Sequence, residues 1–88
     1  MDGPPPDVVA VLARLLDEAR EHAGAGNDAA VAPLLATVET VAETRVPDPD
    51  RRERLRHGCR AVRRCLDADD PEAAVAYLEA MARRLPTE

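Results

Sequence analysis

Apolar residues recur along this chain at three- and four-residue spacing, the period of helices that bury one face. Val8, Val11, Leu12, Leu15, Leu16, Ala19 and Ala23 share one side of a first helical wheel, with Ala10, Arg14, Asp17 and Glu21 opposite. Val31, Leu34, Leu35, Val38, Val41 and Ala42 form a second stripe; Leu55, Cys59, Val62 and Leu66 a third. Ala74, Val75, Leu78, Met81, Ala82 and Leu85 form a fourth.

Punctuation between the stripes sets the boundaries. Asp7 can N-cap the first helix, and the AGAGN stretch at 23–27 ends it, because glycine readily takes the left-handed conformation of a helix C-terminus. Asn27 or Asp28 can cap the second helix. Pro33 then implies a late start or a loose first turn, since proline is comfortable only at a helix's beginning. Val46 precedes Pro47 and so avoids helical angles. Asp48-Pro49 and Asp70-Pro71 each set a capping carboxylate before a proline at the first helical position. Pro86 stops the last helix. Helices are therefore predicted at about 7–23, 29–45, 49–66 and 71–85, a single helical domain over 7–86 behind a disordered, proline-rich tail at 1–6. Short connections favour antiparallel neighbours. The expected fold is all-α, a four-helix bundle built of two antiparallel helical hairpins. DAAVAPLLA at 28–36 echoes EAAVAYLEA at 72–80, an offset of 44 residues that raises the idea of a duplicated hairpin.

Composition limits how much core these stripes can build. The 88 residues include 17 Ala, 9 Val and 9 Leu but no Ile, Phe or Trp. Burying a Val or Leu contributes roughly 1.5–3 kcal/mol, against about 1–2 kcal/mol of backbone entropy per ordered residue. So close a balance favours burying a further face against a second copy or a partner. Absence of Ser rules out a seryl nucleophile and a phosphopantetheine-bearing serine. The N-terminus, MDGPPPDVV, lacks the basic and apolar regions of a secretory signal, and the longest apolar run, VVAVLA, is far short of the about 20 residues that span a bilayer. Cys59 and Cys65, six apart on one helix, cannot bridge each other; free thiols suit a reducing compartment, and a cytoplasmic location is expected.

Charge is the feature that periodicity leaves unexplained. The chain carries a formal −5, yet RRERLRHGCRAVRRCL at 51–66 holds seven of its twelve basic residues, all Arg. Arg52, Arg56, Arg60, Arg63 and Arg64 form one stripe flanking the apolar face. Like-charged neighbours at these spacings each cost about 0.2–0.5 kcal/mol in an isolated helix, so something outside the helix must compensate them. Glu39 and Glu43 on the second helix, or Glu72 and Glu79 on the fourth, can supply carboxylates from within. An acidic protein surface, a second copy included, can supply them from outside. Nucleic acid fits less well, given the net negative charge and a single aromatic residue.

Candidates for chemistry are few. His57 and Cys59 point about 200° apart on a helix and cannot share a metal or form a nucleophile pair. No cofactor motif, metal-ligand spacing or small-molecule substrate site is evident. His22 falls at a helix end, where it can cap carbonyls. Asp67, Asp69, Asp70 and Glu72 lack the glycine and distal glutamate of a calcium loop, and capping accounts for them. The six residues from Arg52 to His57 have an Arg-x4-His spacing that resembles the signature of HEPN ribonucleases, helical proteins that often act as dimers. The resemblance implies that Arg52 would stabilise an RNA phosphate at a dimer interface while His57 assists proton transfer. Glu53 stands where that family usually has Asn or Asp, and the motif opens the third helix rather than lying near the last. The reading favoured by charge and periodicity is a non-catalytic protein–protein interaction or regulatory module. It would contact its partner through the 49–66 helix, at Arg52, Arg56, Arg60, Arg63 and Arg64 and the adjoining apolar edge.

Overall fold

A computed structural model describes residues 5–85. Its described residues form four helices: α1 (Pro6–Gly24), α2 (Asp28–Arg45), α3 (Pro49–Asp67) and α4 (Pro71–Arg83). Each helix packs against two others, α1 on α2 and α4, and α3 on α2 and α4. The result is a rod of 39 × 19 × 19 Å. Its axis is filled by Leu12, Leu16, Leu35, Leu78, Val31, Val38 and Val62, all buried. Ala19, Ala23, Ala42 and Ala74, fully buried, let the backbones approach closely.

The helix ends depart from the sequence expectations in instructive ways. α1 begins at Pro6, and Asp7 makes no capping bond; it lies inside the first turn, where the helix's positive end favours a carboxylate. The Pro5 carbonyl takes the first two amides, those of Val8 and Val9. Most of the expected tail, residues 1–4, lies outside the described residues, as does the stop at Pro86. α2 begins at Asp28 and runs through Pro33, so neither a late start nor a loose first turn occurs. Pro33 forfeits one amide, the one that would reach the Ala29 carbonyl; continuous packing of Val31, Leu35 and Val38 outweighs that loss. α4 ends at Arg83, two residues earlier than expected. The two Asp-Pro starts form as the chemistry requires: the Asp48 carboxylate accepts from the Asp50 amide at 3.0 Å, and Asp70 from the Ala73 amide at 3.2 Å.

Burial also corrects the stripes at their edges. Val11 is 46 % exposed, and Leu15, Leu34, Val41, Cys65, Leu66, Val75, Ala82 and Leu85 are only half-buried. Gly58 and Ala61, absent from the predicted α3 stripe, are buried.

A repeat is present, one residue out of step with the sequence echo. α1 and α3 each span 19 residues and start 43 residues apart; α2 and α4, of 18 and 13 residues, also start 43 residues apart. Buried Leu12, Leu16 and Ala19 correspond at that offset to Leu55, Cys59 and Val62; Val31, Leu35 and Val38 correspond to Ala74, Leu78 and Met81. Even the two left-handed residues match, Gly26 (φ 78°) and Asp69 (φ 58°), each just past the first helix of its pair. At the 44-residue offset, buried Leu35 would instead match exposed Glu79. Helix starts and most buried positions therefore favour the 43-residue offset over the 44-residue echo, because Ala-rich helices match one another at several offsets.

Candidate functional site

The arginines of α3 divide by direction. Arg63 reaches α2 and donates two parallel bonds to Glu39, Nη1–Oε2 at 2.8 Å and Nη2–Oε1 at 3.0 Å. This is the bidentate fork that guanidinium and carboxylate geometry favours. The Arg63 hydrogen bonds hold the Glu39 carboxyl below its ordinary range, against an opposing push from partial burial, and Glu39 in turn raises Arg63. Arg56 meets Glu43 more loosely, at 3.8 Å. Arg52 turns back over the start of its own helix: its Nη1 donates to the Val46 carbonyl at 3.0 Å and the Pro47 carbonyl at 3.2 Å, groups that the end of α2 leaves open. Arg51 pairs with the capping Asp48 at 3.5 Å.

Toward solvent the compensation thins. Among the described residues Arg60 pairs with Glu53 of its own helix, at 3.5 Å, with both side chains more than half exposed. Arg64 is exposed and forms no ion pair among the described residues. Of the carboxylates considered from the sequence, Glu39 and Glu43 meet the stripe; Glu72 and Glu79 make no ion pair with it among the described residues. The adjoining apolar edge lies inside the bundle: Leu55, Cys59 and Val62 are buried, and only Leu66 of that edge is partly open.

The remaining candidates separate. Arg52 and His57 stand five residues apart, about 140° around the helix. Arg52 is spent on backbone carbonyls, while His57 is exposed on the flank toward α4, so the pair does not converge on one surface. Cys59 is buried, its Sγ 3.8 Å from the Leu35 carbonyl, and burial, reinforced by Glu39, pushes its thiol up to about 12. His22 lies in the last turn of α1, with Nδ1 3.4 Å from the Asn27 side-chain amide nitrogen. Among the described residues no three His, Cys, Asp or Glu side chains are placed to hold a metal ion. No described helix is long and apolar enough to cross a membrane.

Sequence reasoning missed a cleft of about 590 Å³ on the other flank of α3, between it and the end of α4. Its floor reaches Leu12 and Val46, both almost wholly buried, and its walls include Arg54, His57, Tyr77 and Arg84. The local signal was Gly58, a glycine in mid-helix: a Cβ there would sit 2.6 Å from Met81 Sδ.

These features define a small all-α protein of four packed helices, with a cationic outer face on α3 and a cleft beside it. The chain belongs to the family described as Domain of unknown function (DUF8101), whose model matches residues 1–87. No curated protein and no solved structure matches it.

Proposed function

We propose that the protein is a non-catalytic interaction module that docks an acidic protein surface on the outer face of α3. Arg60 and Arg64 are the primary contacts, and Arg56 joins them by exchanging its loose Glu43 partner. Arg52 and Arg63 hold the helix in place behind them. The observation that carries this reading is the outward gradient of compensation, from a bidentate pair at Arg63 to no ion pair at Arg64 among the described residues. An exposed cationic face on an acidic chain is suited to steering an acidic partner and fixing its orientation more than to supplying bulk affinity.

The bundle is read as two antiparallel hairpins. Supporting this, the earlier Arg56 meets the later Glu43 while the later Arg63 meets the earlier Glu39, and Asp7 near the start of α1 lies 3.9 Å from Arg45 at the end of α2. A cytoplasmic setting is supported by two free cysteines.

Charge reversal tests the docking face. Arg60→Glu with Arg64→Glu should abolish co-purification of the wild-type chain's acidic partners, or its self-association, while helicity stays unchanged. Undiminished association by the reversed chain would refute it.

A further inference from the structure

The two hairpins differ where the cleft opens. At the 43-residue correspondence, Leu15 of the first hairpin matches Gly58 of the second. Val8, Val11 and Val41 match Arg51, Arg54 and Arg84. In the first hairpin Leu15 packs against the core. In the second, the same position has no side chain, Met81 lies over the bare backbone, and three arginines stand where valines were. A hole to the core has been opened and its mouth made cationic.

We propose that this cleft binds an organic monoanion: a slender apolar body with one carboxylate head. The apolar body fits because Leu12, Val46, Leu55 and Met81 line the interior and the volume of about 590 Å³ falls within the usual range for small-molecule sites. Its lining draws on α1, α3, α4 and the α2–α3 connection and reaches the buried Leu12 and Val46, which sets this cleft apart from the outer face of α3. The head carries one negative charge because Arg51, Arg54 and Arg84 line the cleft against only Asp50 and Glu53. Arg51 is the arginine we assign to the head: its partly exposed side chain lines the cleft, and its Nη1 has no hydrogen-bond partner among the described residues, so a turn of the guanidinium toward the cleft would give that donor an acceptor. A buried donor without an acceptor is costly, and a bound carboxylate oxygen would satisfy it. This site lies on the flank of α3 facing α4, so it stands independently of the outer arginine face.

Tyr77, the only aromatic residue of the chain, is 44 % exposed and lines the cleft, so tyrosine emission reports its occupancy. The full chain is titrated with decanoate and with decanol, following this emission and the Gly58 amide resonance. Decanoate is expected to bind saturably and at least about ten-fold more tightly than decanol, the usual scale of a hydrogen bond to a charged group. Arg51→Gln should remove most of that preference without changing decanol binding. Arg84→Gln, which leaves the Asp48 contact untouched, should lower it several-fold. Gly58→Ala should drive Met81 into the cleft and weaken both ligands with helicity retained. Equal affinity for decanoate and decanol, or indifference to both arginine variants, would overturn the proposal. So would Gly58 shifts produced by diluting the protein alone, which would seat a second copy in the cleft.

Discussion

Breaking the Arg63–Glu39 fork tests whether the bundle itself consumes the inner arginines of α3. Exposed ion pairs couple by roughly 0.2–1 kcal/mol, and hydrogen bonds to charged groups contribute about 1.5–3 kcal/mol. Arg63 and Glu39 are 37 % and 29 % exposed and make two short parallel bonds, so their coupling should lie near 1 kcal/mol, between those limits. Arg56–Glu43, at 3.8 Å with 45 % and 63 % exposure, should couple by less than about 0.5 kcal/mol. Double-mutant cycles built from Arg63→Met with Glu39→Gln, and Arg56→Met with Glu43→Gln, measure both by urea unfolding. Near a urea slope of about 1 kcal/mol per molar, the first coupling corresponds to a midpoint difference of about 1 M. The sign of the pH dependence is fixed. Glu39's carboxyl is depressed in the folded state. Its contribution is therefore fully present above the unfolded carboxyl value of about 4.3 and disappears as pH falls through the lower folded value. Equal couplings for the two pairs, or an Arg63–Glu39 coupling that persists after Glu39 is protonated, would refute the reasoning.

Two further outcomes follow from the same structure. With its pKa pushed up to about 12 by burial, Cys59 should resist thiol reagents in the native protein, and half-buried Cys65 should label first; equal labelling rates before unfolding would contradict this packing. Asp69 holds a left-handed φ of 58° where its counterpart is Gly26, so Asp69→Gly should stabilise the protein by a few tenths to about 1 kcal/mol in thermal unfolding; a loss of stability would show that the Asp69 side chain matters more than its backbone angle.

The helical class was legible because Leu, Val and Ala recur with one period and because two Asp-Pro steps carry both a cap and a proline that begins a helix. Pro33 was harder to place. Its local preference argues for a helix start, but the buried face of Val31, Leu35 and Val38 runs through it, and tertiary packing decides. The repeat was visible only as an echo one residue out of step, since Ala matches Ala at many offsets, and helix starts and most buried positions favour 43. At the candidate site, the sequence placed Glu39 and Glu43 among the carboxylates able to meet the arginines, because both share a flank of α2. It could not rank Arg63 above Arg60, a difference set by interhelical distance. The cleft was illegible for a related reason: Gly58 is a gap only when Met81 of another helix is known to lie over it.

Arginine-specific labelling of the protein bound to its partner tests the central claim most directly. Arg60 and Arg64 should lose reactivity in the complex while Arg14, 82 % exposed on α1, continues to label as in the free chain. Unchanged labelling of Arg60 and Arg64, with protection elsewhere, would place the contact on another face and contradict the account.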